Sequence, residues 1–253
     1  MDLKPRVLLT NDDGLFAEGM AAARQALSES WEVVIVAPDR EQSAAGHALT
    51  LHHPLRVRQM DQWTFSVDGT PTDCVMLAMH GLLDRQPDFV VSGINHGPNL
   101  GDDVTYSGTV AAAMEGTLLG LPSISVSVTE WEDLHFEAAG AFLKRLVQVA
   151  LQNGMPPDTF LNVNVPNLPR ERIKGARITR LGKRIYRDAL VKRSDPRGRP
   201  YYWIGGQDPT WVGGEQSDFA AIEAAMISVT PLHLDLTNDK ALSRLESWHL
   251  DSW

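Results

Sequence analysis

The sequence predicts an α/β fold: a doubly wound, mostly parallel sheet with helices on both faces and projecting β-hairpin excursions. In the first half of the chain, short β-branched runs alternate with helical patterns, which is typical of parallel strands joined by helices. The run WEVVIVA at 31–37 has the character of a buried strand and ends at Pro38. With 253 residues, the chain is long enough to bury a substantial core.

Strands are predicted at the short apolar runs, and helices at the periodic segments between them. The strand candidates, in chain order, are residues 6–10, 31–37, 89–92, 123–128, 159–165 and 226–230. The helix candidates are residues 17–28, 71–83, 109–119, 132–152 and 238–250. One helix start has a chemical basis. Thr70 offers a hydroxyl at the N-cap, Pro71 takes the first helical position and Asp73 the third, which is the arrangement of a capping box.

Two segments depart from this alternation. Residues 47–69 alternate like antiparallel strands and are predicted to form a hairpin insertion. Residues 181–216 are rich in Gly, Pro and Trp, and residues 177–199 carry nine Lys or Arg against two Asp. This arm is either a solvated, mobile segment or a surface that attracts an anionic substrate or an acidic partner subunit. No linker or repeat is visible, so we expect residues 1–253 to form a single domain.

Composition narrows the classes of function. The chain has 23 Lys or Arg and 32 Asp or Glu, a net charge of −9. Such a chain is a poor candidate for binding duplex nucleic acid or a membrane surface, and an anionic substrate would need a local cation. The one cysteine, Cys74, allows no intrachain disulfide, and the first residues lack the apolar stretch of a signal peptide. We therefore expect a cytoplasmic protein with no stable nucleic-acid partner and no membrane contact.

Oxygen-bearing side chains follow three of the predicted strands. Residues 11–14, Asn-Asp-Asp-Gly, follow the first, Ser43 comes after the second, and Asn95 comes after the third. Ligands of doubly wound sheets bind beyond the carboxyl ends of the strands, so we expect these side chains to meet at one edge. Two adjacent carboxylates repel each other unless a cation or a proton lies between them. The alternative is a turn that caps the next helix.

The predicted ligand set contains only oxygen donors, which favours Mg²⁺ or Mn²⁺ over zinc or copper. Its members are Asp12, Asp13, Ser43 and Asn95.

A second polar group precedes the helix predicted at 109–119. Ser107 or Thr109 can cap this helix, and Gly108 lets an anion approach the backbone closely. Free amides at a helix N-terminus bind phosphate. A metal beside a phosphate site indicates phosphoryl chemistry, because the ion neutralises charge and generates a nucleophilic water. The alternative is an ordinary helix cap.

The sequence lacks the motifs that are typical of several other enzyme classes. The sequence has no G-x-x-x-x-G-K-[ST], no G-x-G-x-x-G after the first strand, no G-x-S-x-G and no H-E-x-x-H. Among the scattered histidines, His96 is the one that we would test as a catalytic proton donor, because it stands beside Asn95.

Together, several motifs resemble the SurE family of stationary-phase survival proteins. They are LLTNDDG at 8–14, APDREQS at 37–43, GTPTDCV at 69–75 and the 25-residue stretch SGINHGPNLGDDVTYSGTVAAAMEG at 92–116. NVNVP at 162–166 and ISVTPL at 227–232 extend the resemblance over nearly the whole chain. The family commonly has Gly directly after the metal-binding Ser, whereas here Ala44 follows Ser43.

The resemblance implies a Rossmann-like core and one divalent metal per subunit on Asp12, Asp13, Ser43 and Asn95. It implies hydrolysis of nucleoside 5′- and 3′-monophosphates, and in some members of polyphosphate as well. It also implies a homodimer or homotetramer built partly through the projecting hairpin and the C-terminal segment at about 233–253.

The resulting hypothesis is a metal-dependent phosphomonoesterase. One of the two aspartates, with a preference for Asp12, acts as general base for a water that attacks phosphorus. The residues expected to contact phosphate or to orient water are Asn11, Asn99, Ser107, Gly108 and Thr109. Two alternatives stay open: a phosphatase in which Asp12 or Asp13 attacks phosphorus directly, and a non-catalytic sensor that binds nucleotides.

Overall fold

The computed structural model describes residues 4–185, 190–204 and 210–252. The strands are β1 (Arg6–Thr10), β2 (Glu32–Pro38), β3 (Val57–Asp61), β4 (Thr64–Val67), β5 (Phe89–His96), β6 (Ser123–Val128), β7 (Thr159–Val165), β8 (Ala176–Ile178), β9 (Lys183–Ile185), β10 (Leu190–Ser194), β11 (Pro200–Ile204), β12 (Thr210–Val212) and β13 (Ile227–His233). The helices are α1 (Glu18–Ser28), α2 (Pro71–Leu77), α3 (Gly108–Leu118), α4 (Glu137–Asn153), α5 (Asp218–Glu223) and α6 (Asp239–Glu246).

Nine strands form one sheet in the order β3-β4-β2-β1-β5-β6-β7-β13-β8. The six strands from β4 to β7 in that order are parallel to one another. β3 is antiparallel to β4, and β13 is antiparallel to β7. The sheet confirms the predicted doubly wound, mostly parallel α/β fold.

Helices cover both faces of the sheet, and the alternation of side chains along β1 shows why. Leu9 joins a core that includes Met20 of α1 and Leu143 of α4. Leu8 points the other way, into a core that includes Cys74 of α2 and Ala112 of α3. Leu8 and Leu9 are both fully buried, and each such burial contributes about 1.5–3 kcal/mol.

The predicted capping box is present at the start of α2. The Thr70 hydroxyl accepts the Asp73 N–H, and the Asp73 side chain accepts the Thr70 N–H. The helix is shorter than predicted, because it ends at Leu77. A single wide turn then follows, in which Gly81 has a φ of +140°.

α4 begins at Glu137 and not at residue 132 as predicted. Asp133 has a φ of +49°, which takes it out of the helical region. The N–H of His135 donates to Asn167 Oδ1 at 2.8 Å, so it is not available to a helical carbonyl.

The segment at 47–69 is a hairpin only in its second half. Residues 47–56 contain no strand, and β3 and β4 form the hairpin that follows them. β4 pairs in parallel with β2. The hairpin is therefore the edge of the main sheet and does not project from it.

Within its described residues, the arm at 181–216, where a projecting hairpin was expected in an otherwise irregular segment, contains four short strands. β10 pairs with β11 and β9 pairs with β12, both antiparallel and separate from the main sheet. This confirms a hairpin excursion in the arm. Residues 186–189 and 205–209 of the arm, and Trp253 of the C-terminal segment, lie outside the described residues.

The C-terminal third also contains two elements that the sequence did not predict, β8 and α5. The helix predicted at 238–250 is divided into α6 and a short 3-10 turn at Leu250–Ser252. Among the described residues, no helix is long and apolar enough to cross a membrane.

Gly19 allows α1 to approach β5 closely. A Cβ at this position would lie 1.9 Å from the carbonyl oxygen of Ile94. We expect Gly19→Ala to lower the free energy of unfolding by about 1–3 kcal/mol in urea denaturation, because the helix must move away from the strand. Gly214→Ala, where the added Cβ meets no atom within 4 Å, is the control. Equal losses for the two variants would contradict the close contact.

Candidate metal and phosphate site

The candidate site lies where the strand order of the sheet reverses. β1 stands between β2 and β5, so a crevice opens beyond the carboxyl ends of β1 and β5. Residues 11–14 follow β1, and Asn95 and His96 end β5. The N-terminus of α3 reaches the same edge, where Thr109 contacts Asp12. The crevice is the position that the sequence predicts for the site.

β5 runs to His96 and not only to residue 92, so Asn95 lies within the strand rather than in the loop after it. Gly93 has a φ of +126°, and a Cβ there would lie 2.2 Å from the carbonyl oxygen of Val126. The pairing of β5 with β6 shifts register between Ser92 and Asn95. A bulge of this kind re-aims the side chains that follow it. A glycine inside a β-branched run is the sequence signal for such a bulge.

Thr109 joins Asp12 to Asn95. Its N–H donates to Asp12 Oδ2 at 3.1 Å, and its hydroxyl donates to Asp12 Oδ1. The same hydroxyl oxygen lies 3.1 Å from Asn95 Oδ1. A hydroxyl has one proton, and both of its neighbours here are acceptors, so one acceptor is left without a donor.

Charge and burial act together on the two aspartates. Burial raises the pKa of Asp12, and the hydrogen bonds from Thr109 act in the opposite direction. Burial and the neighbouring charge of Asp12 raise the pKa of Asp13 to about 7. Asp13 Oδ2 accepts the N–H of His96 at 3.2 Å, and the described residues give Asp13 Oδ1 no donor. The pair therefore favours a shared proton or a cation over two bare charges.

An oxygen-binding cation fits these residues. Asn11 donates from Nδ2 to the carbonyl oxygen of Gly14 at 2.9 Å, while its buried Oδ1 has no hydrogen-bond partner. Carboxylate and amide oxygens in excess of donors are what Mg²⁺ and Mn²⁺ prefer. No group of three or more His, Cys, Asp or Glu is arranged to hold a metal in the part of the chain that the structure describes. A cation here would depend on amide and hydroxyl oxygens as well as on Asp12 and Asp13.

Ser43 is less closely tied to the site than its spacing predicts. The N–H of Gln42 donates to the carbonyl oxygen of Asp12 at 2.7 Å, which places the residue before Ser43 beside the doublet. The exposed Ser43 hydroxyl donates to Glu41 Oε1 at 2.7 Å. Ala44 adopts a φ of +59°, so the loop has the left-handed backbone that glycine adopts freely. This conformation costs a non-glycine residue roughly 1–2 kcal/mol.

The N-terminus of α3 has groups that a phosphate needs, although some of them already have protein partners. Ser107 Oγ accepts the N–H of Val110 at 3.1 Å, so Ser107 is the N-cap and its hydroxyl proton remains available. A Cβ on Gly108 would lie 2.9 Å from Asp12 Oδ2, so only glycine permits this approach. The N–H of Thr109 is directed at Asp12.

Protein contacts anchor the other two predicted residues, Asn99 and His96. Asn99 Nδ2 donates to Ser127 Oγ at 2.8 Å. His96 Nε2 accepts the N–H of Gly19 at 3.3 Å, and burial lowers the pKa of the ring. These contacts are those of a neutral ring that positions β5 against α1, and they do not support a proton donor at Nε2.

Comparison with known proteins identifies the family. A family model described as "Survival protein SurE" matches residues 7–188. The chain belongs to the SurE family. A protein named 5′-nucleotidase SurE from Geotalea uraniireducens is 56% identical over 246 residues, which cover 97% of this chain and 99% of that protein. One of the same name from Geobacter sulfurreducens is 56% identical over 247 residues, covering 97% and 94%.

A solved structure of this family has the same fold. The crystal structure of a SurE protein from Aquifex aeolicus superposes with a TM-score of 0.88 at 48% identity, over 96% of this chain and 99% of that one. The resemblance carried by the motifs, and the Rossmann-like α/β core that it implies, are confirmed.

A contact between His47 and Glu115 joins the Ser43 loop to α3 in this SurE chain, and the sequence did not predict it. His47 Nε2 lies 2.7 Å from Glu115 Oε2. The N–H of Gly46 donates to the carbonyl oxygen of Tyr106 at 3.1 Å, which adds a second link. Glu115 is only 7% exposed. A lone charge in the otherwise uncharged stretch around it was the signal that could have indicated a buried partner.

Gly108→Ala is expected to weaken Mn²⁺ binding to this SurE chain about 10–100-fold, the usual effect of disturbing groups that orient metal ligands. The added Cβ would displace the Asp12 carboxylate that it meets at 2.9 Å. Calorimetric titration of the metal-free protein measures the affinity, and Gly214→Ala is the control. Unchanged affinity in Gly108→Ala would mean that Asp12 does not hold the cation.

Proposed function

We propose that this chain is a metal-dependent phosphomonoesterase that hydrolyses nucleoside 5′-monophosphates to nucleoside and phosphate. The observation that carries the proposal is the cluster of Asp12, Asp13 and Asn95 oxygens beside the N-terminus of α3. Relatives named 5′-nucleotidase SurE, 56% identical over nearly the whole chain, support the substrate class. Hydrolysis of 3′-monophosphates and of polyphosphate, which the family resemblance implies, belongs to the same proposal.

Asp12, Asp13 and Asn95 would hold one divalent cation per subunit, Mg²⁺ or Mn²⁺, with Ser43 as the fourth ligand. Ser43 must leave Glu41 to reach that position, which its exposure permits. When bound, such an ion neutralises charge on the phosphate and activates a water molecule. The excess of oxygen acceptors over protons around Thr109 supports this assignment.

The substrate phosphate would lie against the first turn of α3. This end of the helix carries about half a positive charge, and the hydroxyl proton of Ser107 is free to bind a phosphate oxygen. The backbone of Gly108 and Thr109 lies at this same end of the helix. Asn11, whose buried Oδ1 has no hydrogen-bond partner, is proposed to orient the attacking water.

Of the two aspartates, the contacts favour Asp13 as general base, which reverses the preference for Asp12. Both carboxylate oxygens of Asp12 accept hydrogen bonds from Thr109. Asp13 has one oxygen bonded to the His96 N–H, and its other oxygen has no donor among the described residues. Asp13 is also the less buried of the two. It is therefore better placed to take a proton from water.

The arm and the C-terminal segment are proposed to form subunit contacts in a homodimer or homotetramer. Trp203 and Ile204 of the β10–β11 hairpin are 64% and 89% exposed. A two-stranded hairpin alone is marginally stable in water, so a partner subunit that covers it would stabilise it. α6 likewise exposes Leu242 and Leu245. The cytoplasm remains the proposed location.

The activity is tested by measuring phosphate release. The purified protein is expected to release phosphate from AMP and GMP with Mg²⁺ or Mn²⁺, and EDTA should abolish the release, because the site then lacks the charge that balances the phosphate. A panel of phosphomonoesters against several divalent ions separates substrate class from metal preference. Binding of AMP without phosphate release over hours would support the sensor alternative.

Asp12→Asn and Asp13→Asn are each expected to lower kcat by about 10²-fold or more, the scale of a lost general base or metal ligand. Asp61→Asn, at the exposed end of β3, is the control and should keep wild-type turnover. Full metal-dependent turnover in Asp12→Asn would overturn the mechanism. A phosphoaspartate trapped during turnover would support direct attack by the carboxylate instead.

A further inference from the structure

Hydrogen bonds from two buried asparagines converge on the main chain of Asn99. Asn164 Oδ1 accepts the Asn99 N–H at 2.8 Å, and Asn164 Nδ2 donates to the Asn99 carbonyl oxygen at 2.9 Å. Asn162 Nδ2 donates to the same carbonyl oxygen at 2.8 Å. With the bond from Asn99 Nδ2 to Ser127 Oγ, four hydrogen bonds hold one residue of the loop between β5 and α3.

The positions of these asparagines are unusual for the strand that carries them. Both lie in β7 and are fully buried. Phe160, two residues earlier and on the same face, packs with Val110 and Ala113 of α3. An apolar, β-branched residue is the common occupant of such a strand position. Burying an amide is unfavourable unless its polar groups are paired, and here the pairing is with the loop.

We infer that Asn162 and Asn164 are positioning residues of the phosphatase, which act through Asn99 to fix the entrance to the phosphate-binding end of α3. This inference rests on the proposed function. Asn99 is 7% exposed, and its Oδ1 has no hydrogen-bond partner among the described residues. Fixing the main chain and Nδ2 of Asn99 from inside the sheet leaves Oδ1 in a defined place for water or substrate.

The two asparagines make unequal contributions to this arrangement. The Asn99 carbonyl oxygen has two donors, so either asparagine can be removed and one donor remains. The Asn99 N–H is paired with Asn164 Oδ1 alone. Removal of the Asn164 side chain is therefore expected to displace Asn99 more than removal of the Asn162 side chain, although both are equally buried.

The test compares Asn164→Ala and Asn162→Ala in steady-state hydrolysis of AMP, with inorganic phosphate as inhibitor. Asn164→Ala should lower kcat about 10–100-fold, the cost of misplacing a site by roughly 1 Å, and should raise Ki for phosphate. Asn162→Ala should have a smaller effect on both. A purely structural role would lower Tm but would leave kcat and Ki of the folded enzyme unchanged.

Ser228→Ala is the matched control. Ser228 is fully buried in β13 directly opposite Asn164, and among the described residues its hydroxyl has hydrogen-bond partners in Thr179 and Thr230 and none in the loop. This variant should lower Tm and keep wild-type kcat and Ki. Hydrogen exchange gives a readout that does not depend on activity: exchange in a peptide covering 97–101 should be faster in Asn164→Ala and unchanged in Ser228→Ala.

A double-mutant cycle tests the route through Asn99. If Asn164 acts by holding the Asn99 side chain in place, the fall in kcat caused by Asn164→Ala should be much smaller in an Asn99→Ala background, because coupled residues are not additive. Additive effects would overturn the inference. The inference would also be overturned if the wild-type protein is active and the Asn164→Ala variant keeps the wild-type kcat and Ki.

If Asn164→Ala does not fold, Ser127→Ala serves in its place, because it removes only the acceptor of Asn99 Nδ2. The same cycle with Asn99→Ala then applies. Failure of the proposed function is separately visible, because the wild-type protein would then release no phosphate from AMP.

Discussion

The contact between the Asp12 carboxylate and the first turn of α3 is the interaction on which the rest of the site depends. It requires β1 and α3 to meet beyond the sheet, which follows from the position of β1 between β2 and β5. It also requires Gly108, since any Cβ would press on Asp12. Once the contact is made, the Thr109 hydroxyl that donates to Asp12 Oδ1 also lies 3.1 Å from Asn95 Oδ1. The predicted ligands from β1 and β5 therefore share a single anchor.

This anchor concentrates negative charge in a buried place. A helix N-terminus stabilises a nearby carboxylate by about 0.3–1 kcal/mol at the surface, and up to about 2 kcal/mol when partly buried. That is too little to offset the burial of both Asp12 and Asp13, as their raised pKa values show. A cation that binds only the folded state would stabilise the fold, and it would also balance the charge of a bound phosphate. If such an ion binds, stability and the proposed activity would depend on the same ion.

The sequence predicted the parts of this structure that local patterns determine. The central strands are apolar runs, and the capping box at Thr70 depends on its nearest neighbours. The start of α4 and the length of β5 could not be read in this way. The start of α4 depends on a distant partner, Asn167. The length of β5 depends on the close approach of Gly93 to the neighbouring strand. The motif at 162–166 indicated a strand and the family resemblance, but its asparagines had no predicted role, because the loop that they hold lies far away in sequence.

The site has one rigid side and one exposed side. On the rigid side, asparagines of β7 hold Asn99, and Asp218 accepts the Gly101 N–H at 2.7 Å. On the other side, the loop that carries Ser43 is largely exposed and is linked to α3 through His47 and Gly46. A phosphate at the proposed position on α3 would meet the rigid side, whereas a nucleoside that extends outward would meet the largely exposed loop that carries Ser43. Discrimination is therefore expected to be strict for the phosphomonoester and loose for the nucleoside, as the proposed hydrolysis of both 5′- and 3′-monophosphates would require.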